Sequence, residues 1–158
     1  MSKLNCPDFI LTEKLTVEQL DFFKKNGFIH FRNFISKERV DLFISEINRI
    51  EKQWLEEGVD KINGIPLKFG KDEKDKTIIQ RFCFLSQYSS ALHDFLHEPR
   101  LNAVTEFLSP FEGRIAELEK DGLILNSYIR TPHSKFTQMG WHTDSPRDIF
   151  MGQKIMPC

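Results

Sequence analysis

Tyrosine and tryptophan are scarce here, two of each in 158 residues, and cysteine is little commoner at three. Cys6, Cys83 and Cys158 make no C-x-x-C pair and no even set, which argues against a disulfide framework and against a structural zinc site. Cys83 is expected as a reduced core thiol. Excess charge is absent too: 22 Lys and Arg face 23 Asp and Glu, for a net charge of -1. Neither nucleic acid nor an anionic membrane surface is therefore an expected partner. No apolar run approaches the ~18 residues of a membrane-spanning helix. Near the start, Phe9-Ile10-Leu11 is the one apolar cluster, far too short for a signal-peptide core. A cytoplasmic location is the default expectation.

What the chain does have is phenylalanine, 15 residues of it, with 40% hydrophobic residues overall. That composition suits a soluble chain with a packed interior, and the length suits one domain spanning 1–158. Thr16-Val17-Glu18-Gln19 has the pattern of a capping box, with Asn26-Gly27 as the stop, so a helix is expected over Val17–Lys25. Ser36 is positioned to cap a second, longer helix that ends at Gly58. Val40, Phe43, Ile44, Ile47, Ile50 and Trp54 recur along it at three- and four-residue steps, an apolar stripe for a core. Ser89–Leu96 and Pro99–Leu108 read as two further helices, Pro99 suiting a first helical turn.

Strands are expected at Phe28–Ile35, Thr77–Leu85 and Gly122–Arg130, with a turn at Asn63-Gly64 and a solvated loop at Lys71–Lys76. The order of elements implies an α+β fold, a helical layer backing a sheet. His30, on the first of these strands with no carboxylate nearby, reads as a packed or half-exposed side chain rather than a ligand. His93 and His97 lie four apart on a helix, a spacing that can bind metal. The glutamate of H-E-x-x-H is missing and no third ligand is placed, so a surface pair is the expectation.

The step His142-Thr143-Asp144 draws more attention. On a strand or its end, residues i and i+2 point to the same face. An imidazole nitrogen and a carboxylate oxygen can then converge on one point, as two corners of a metal octahedron. Non-haem Fe(II) oxygenases use such a pair with a distant histidine, leaving positions for a cosubstrate and dioxygen. A polar turn explains the same residues, because Thr-Asp-Ser-Pro is good turn chemistry with Asp144 bonding its own backbone.

Three segments in order weigh on that choice. "LTVEQLDFFKKNGFIHFRNFISKERVDLFISEI", "LHEPRLNAVTEFLSP" and "GLILNSYIRTP" followed by "GWHTDSP" and "GQKIMP" together cover most of residues 15–157. The chain resembles the phytanoyl-CoA dioxygenase family, Fe(II)- and 2-oxoglutarate-dependent oxygenases built on a double-stranded β-helix, or jelly roll. The resemblance implies N-terminal helices packed on the first strands of such a core. It implies His142 and Asp144 as metal ligands for Fe(II), with Asn126 on a strand lining the 2-oxoglutarate pocket; a bond to a neighbouring group explains Asn126 equally well. Trp141 would wall the site or simply pack, and Arg81 would approach the pocket mouth or lie at the surface. The implied reaction is hydroxylation of a small-molecule substrate, an acyl-CoA or another metabolite.

The family's third ligand, a downstream histidine, and the arginine that pairs with the cosubstrate have no counterpart before Cys158. The expectation is an N-terminal portion of the domain, cut short at its C-terminal side. Unpaired strand edges would then favour self-association. The alternative is a non-catalytic homologue, acting as a binding or interaction module.

Overall fold

The computed structural model describes residues 7–111, 113–115, 117–118, 122–129, 138 and 140. Among them are four α-helices and two small antiparallel sheets, an α+β arrangement. Helix α1 (Val17–Asn26) begins at the expected capping box. Thr16 Oγ1 accepts from the Gln19 N–H at 3.2 Å, and Gln19 Oε1 accepts from the Thr16 N–H at 2.9 Å. Gln19 is buried, and its Nε2 donates to the Ile10 carbonyl at 2.9 Å, so the same side chain holds the lead-in segment. Thr16→Ala removes the acceptor of one orphan helical N–H and is expected to cost about 1 kcal/mol, read from denaturant unfolding.

Helix α2 (Lys37–Glu57) starts at Ser36, whose Oγ accepts from the Arg39 N–H at 3.3 Å. Both α1 and α2 end in left-handed glycines, Gly27 at φ 75° and Gly58 at φ 68°. The apolar stripe of α2 is narrower than its sequence implies. Phe43, Ile50 and Trp54 are buried and Ile47 packs against them, whereas Val40 and Ile44 are exposed.

After α2 come two hairpins. Strands β1 (Lys61–Ile62) and β2 (Ile65–Pro66) pair Ile62 with Ile65 across Asn63-Gly64, both at positive φ. That is the primed two-residue turn whose twist matches the flanking strands. Strand β3 (Lys68–Lys71) pairs antiparallel with β4 (Thr77–Phe82), and β4 pairs on its other side with β5 (Leu125–Asn126). In the β3–β4 turn Asp72 Oδ1 accepts from the N–H groups of Lys74 and Lys76 at 2.8 and 2.9 Å, which holds its carboxyl below the usual range. Gly70 sits against the buried Gln80. A Cβ there would meet Gln80 Oε1 at 2.2 Å, so any side chain at that position would have to displace the buried Gln80 amide.

Helices α3 (Ser90–Leu96, capped by Ser89) and α4 (Pro99–Ala103, with Pro99 in its first turn) complete the described elements, with a 3-10 turn at Leu85–Gln87 before them. The core lies between α2, the strands and α3: Trp54, Ile50, Ile79, Phe82, Phe84, Leu85 and Leu92 are all buried in it. Cys83 is buried there as expected. Glu51 on α2 accepts the Ile79 N–H at 2.7 Å, next to a register shift between Lys68 and Phe69, so the helix satisfies a donor where the ladder slips. No helix among the described residues is long and apolar enough to cross a membrane.

Four expected elements are shorter than the sequence implies. The strand expected over Thr77–Leu85 ends at Phe82. Phe28–Ile35 forms no strand: Phe31 makes an isolated parallel bridge to Phe9, with the Arg32 N–H donating to the Phe9 carbonyl at 2.8 Å. Asn33 at φ 51° turns the chain before a ladder can extend. The helix expected to Leu108 stops at Ala103 and tightens into a 3-10 stretch, Val104–Leu108. Of Gly122–Arg130, only Leu125–Asn126 forms regular strand among the described residues. Single bonds flank it, Leu85 N–H to Leu123 O at 3.1 Å and Ser127 N–H to Gln80 O at 2.8 Å. Phe84 at φ 54° bends the partner chain away just past β4, which limits the ladder at that end.

Candidate functional site

His142 and Asp144 lie outside the described residues, as do Trp141, His133 and the cysteines at 6 and 158. Asn126 does not. Strand β5 places it directly opposite Arg81 of β4, and directly opposed residues of an antiparallel pair share a face. Arg81 is half-buried in this position, not a fully exposed surface residue. The Asn126 Oδ1 is buried and has no hydrogen-bond partner among the described residues. A buried acceptor left unmade costs more than a typical hydrogen bond returns, so such an atom marks a place for a donor or a bound group. The flanking Ile124 and Tyr128 are exposed and lie beyond the paired residues of β5. His30 is exposed.

A second cluster forms where the chain returns to α3. His93 lies on α3 and His97 is its C-cap, so one helical turn brings both rings to the same side, their centroids 4.2 Å apart. The surface exposure expected for this pair is observed, each side chain being about half exposed. The third member carries no local sequence signal. Glu117 reaches both rings, with Oε1 3.4 Å from His93 Nε2 and Oε2 3.1 Å from His97 Nε2. One ligand atom from each of the three residues lies within 4.8 Å of the others.

Neighbouring groups orient the rings. His97 Nδ1 lies 2.9 Å from the His93 carbonyl, which accepts from it when that nitrogen carries its proton. The remaining nitrogen, Nε2, then faces Glu117. The His93 carbonyl, followed by the Glu117 carboxylate and Asp94, raises the His97 pKa above its ordinary value, against a smaller opposing effect of burial. His93 Nδ1 lies 3.6 Å from the Asp94 carboxylate, leaving its Nε2 toward Glu117. The signal for the histidine pair is their i, i+4 spacing. The signal for Glu117 is absent from local sequence, because twenty residues separate it from His97 and only the return of the chain past Gly113 joins them.

Neither protein-family models, nor curated proteins, nor solved structures match this chain.

Proposed function

We propose that this chain forms the N-terminal part of a non-haem Fe(II)/2-oxoglutarate-dependent dioxygenase that hydroxylates a small organic substrate, an acyl-CoA or another metabolite. In this reading β3, β4 and β5 are the opening strands of a double-stranded β-helix, and α1 to α4 pack around them. The observation that carries it is the ordered likeness of three segments to the phytanoyl-CoA dioxygenase family, ending in Trp141-His142-Thr143-Asp144. Local structure supports the first two segments. Helix, left-handed Gly27, extended stretch and capped helix follow one another from Val17, and Pro99 opens a helix in the second.

The residues fit the cofactors in kind. An imidazole and a carboxylate from His142 and Asp144 are donors suited to ferrous iron, and the reading requires a third histidine and an arginine besides them. The orphaned acceptor of Asn126 fits the cosubstrate side of the reading. Turned about its terminal bond, that amide presents Nδ2 at the same buried point, a donor for a carboxylate oxygen. Arg81, across the ladder on the same face, adds a cation within the same strand pair. Iron and 2-oxoglutarate, when bound, supply the oxidising chemistry; the chain orients them and excludes water.

The test is Fe(II)-dependent succinate formation from 2-oxoglutarate by the protein extended through its downstream reading frame, beside its His142→Ala variant. Succinate release that falls at least a hundredfold in the variant is expected, with none from residues 1–158 alone. Turnover unchanged by His142→Ala, or a continuing frame with no histidine, overturns the reading.

A further inference from the structure

We propose that His93, His97 and Glu117 form a binding site for a divalent transition-metal ion of the zinc class, fastening the segment that holds Glu117 onto helix α3. The site shares no residue with His142 and Asp144. Its donors are two neutral imidazole nitrogens and a carboxylate, a set that suits zinc and disfavours magnesium and calcium, which take oxygen ligands.

The spacing matches the ion. Zinc bonds of about 2.0–2.1 Å at tetrahedral angles set neighbouring donor atoms about 3.3 Å apart. Glu117 Oε1 lies 3.4 Å from His93 Nε2 and Oε2 lies 3.1 Å from His97 Nε2, so each ring has a carboxylate oxygen at about that separation. One ligand atom from each of the three residues lies within 4.8 Å of the other two. An ion between them would replace the proton of the His97–Glu117 hydrogen bond and draw His93 into the same centre.

The outer partner of His97 is also that of a metal ligand. A ligating histidine characteristically donates its other ring N–H to a backbone carbonyl or a carboxylate, which fixes the tautomer and strengthens the donor. His97 meets this, with the His93 carbonyl 2.9 Å from its Nδ1, whereas Asp94 stands 3.6 Å from His93 Nδ1 as a nearby charge rather than a hydrogen-bond acceptor. Both rings present Nε2 to Glu117. Half-exposed side chains leave the fourth position to water.

The consequence is structural coupling. Glu117 lies on the stretch that returns to β5, and its carbonyl oxygen stands 2.7 Å from where a Cβ on Gly122 would be. An ion held here clips that stretch to α3, and binding to the folded state alone stabilises it by mass action.

Titration of the protein with zinc alone, followed calorimetrically at pH 7.5, tests the proposal. One site is expected, with magnesium unable to compete. His97→Ala and Glu117→Gln should each weaken it at least tenfold, while a His142→Ala/Asp144→Ala double variant retains it. Circular dichroism and urea unfolding without metal confirm that each variant folds. At a hundredfold excess over Kd, zinc should raise Tm by about 5–10 °C in the parent and not in His97→Ala. An isotherm unchanged in a His93→Ala/His97→Ala variant overturns the proposal. So does zinc binding that disappears with His142 and Asp144.

Discussion

Replacing Trp54 with alanine is expected to lower the free energy of unfolding by about 3–5 kcal/mol, the range for truncating a fully buried aromatic side chain. Trp54 is 1% exposed and is among the largest side chains in the core. It stands near the end of α2 and joins separate parts of the chain. Its ring lies 5.9 Å from Phe82 at the end of β4 and meets Tyr88 edge-on at 5.0 Å. Ile50, one helical turn earlier on α2, is fully buried in the same cluster. Truncation therefore removes the contact between helix and sheet, not a local side-chain preference.

The loss would consume a large part of the ~5–15 kcal/mol that stabilises a typical domain. With a urea slope near 2 kcal/mol per M, the unfolding midpoint should drop by about 1.5–2.5 M. Trp54→Phe keeps most of the apolar volume and should cost well under half as much. A Trp54→Ala variant within about 1 kcal/mol of the parent would mean that α2 does not seat on β4 as described.

Local chemistry was the legible part of this sequence. Thr16 and Gln19 announced their capping box, Asn63-Gly64 its turn though not the short strands it joins, and Ser36 and Ser89 their helices, because each acts within four residues on its own backbone. The stripe on α2 gave the buried face but overstated its width, since period alone does not say how far a neighbouring layer extends. Strand lengths were the least legible. A ladder ends where its partner turns away, and Phe84 turns away at a left-handed φ of 54° beside Gly122, which no local pattern in the sequence announces. Strand β3 escaped notice altogether, being four residues long with a glycine inside. At the sites, the i, i+4 histidines were visible and their carboxylate was not, because Glu117 arrives through tertiary structure. Asn126 was legible as a strand residue, whereas its pairing with Arg81 depends on register.

Glu98→Ala should be the next most damaging change, at about 2–3 kcal/mol. Glu98 sits between α3 and α4 with its side chain only 11% exposed. One oxygen accepts from Arg39 Nη1 at 2.5 Å, and the other pairs with Arg100. Aromatic rings hold both guanidinium groups in place: Arg39 lies 5.5 Å from Phe43 and 5.3 Å from Phe95, and Arg100 4.6 Å from Phe34. Removing the carboxylate leaves two neighbouring cations against apolar rings with no counter-charge. Breaking a buried pair costs about 3–5 kcal/mol. The guanidinium groups keep about a third of their exposure, so solvent screens part of that loss. Glu98→Gln retains acceptors and should cost less. A cycle with Arg39→Met isolates the pair, and a coupling energy of about 1–2 kcal/mol is expected. If the two substitutions add to within about 0.5 kcal/mol, Glu98 does not tie the start of α2 to the junction that carries His97.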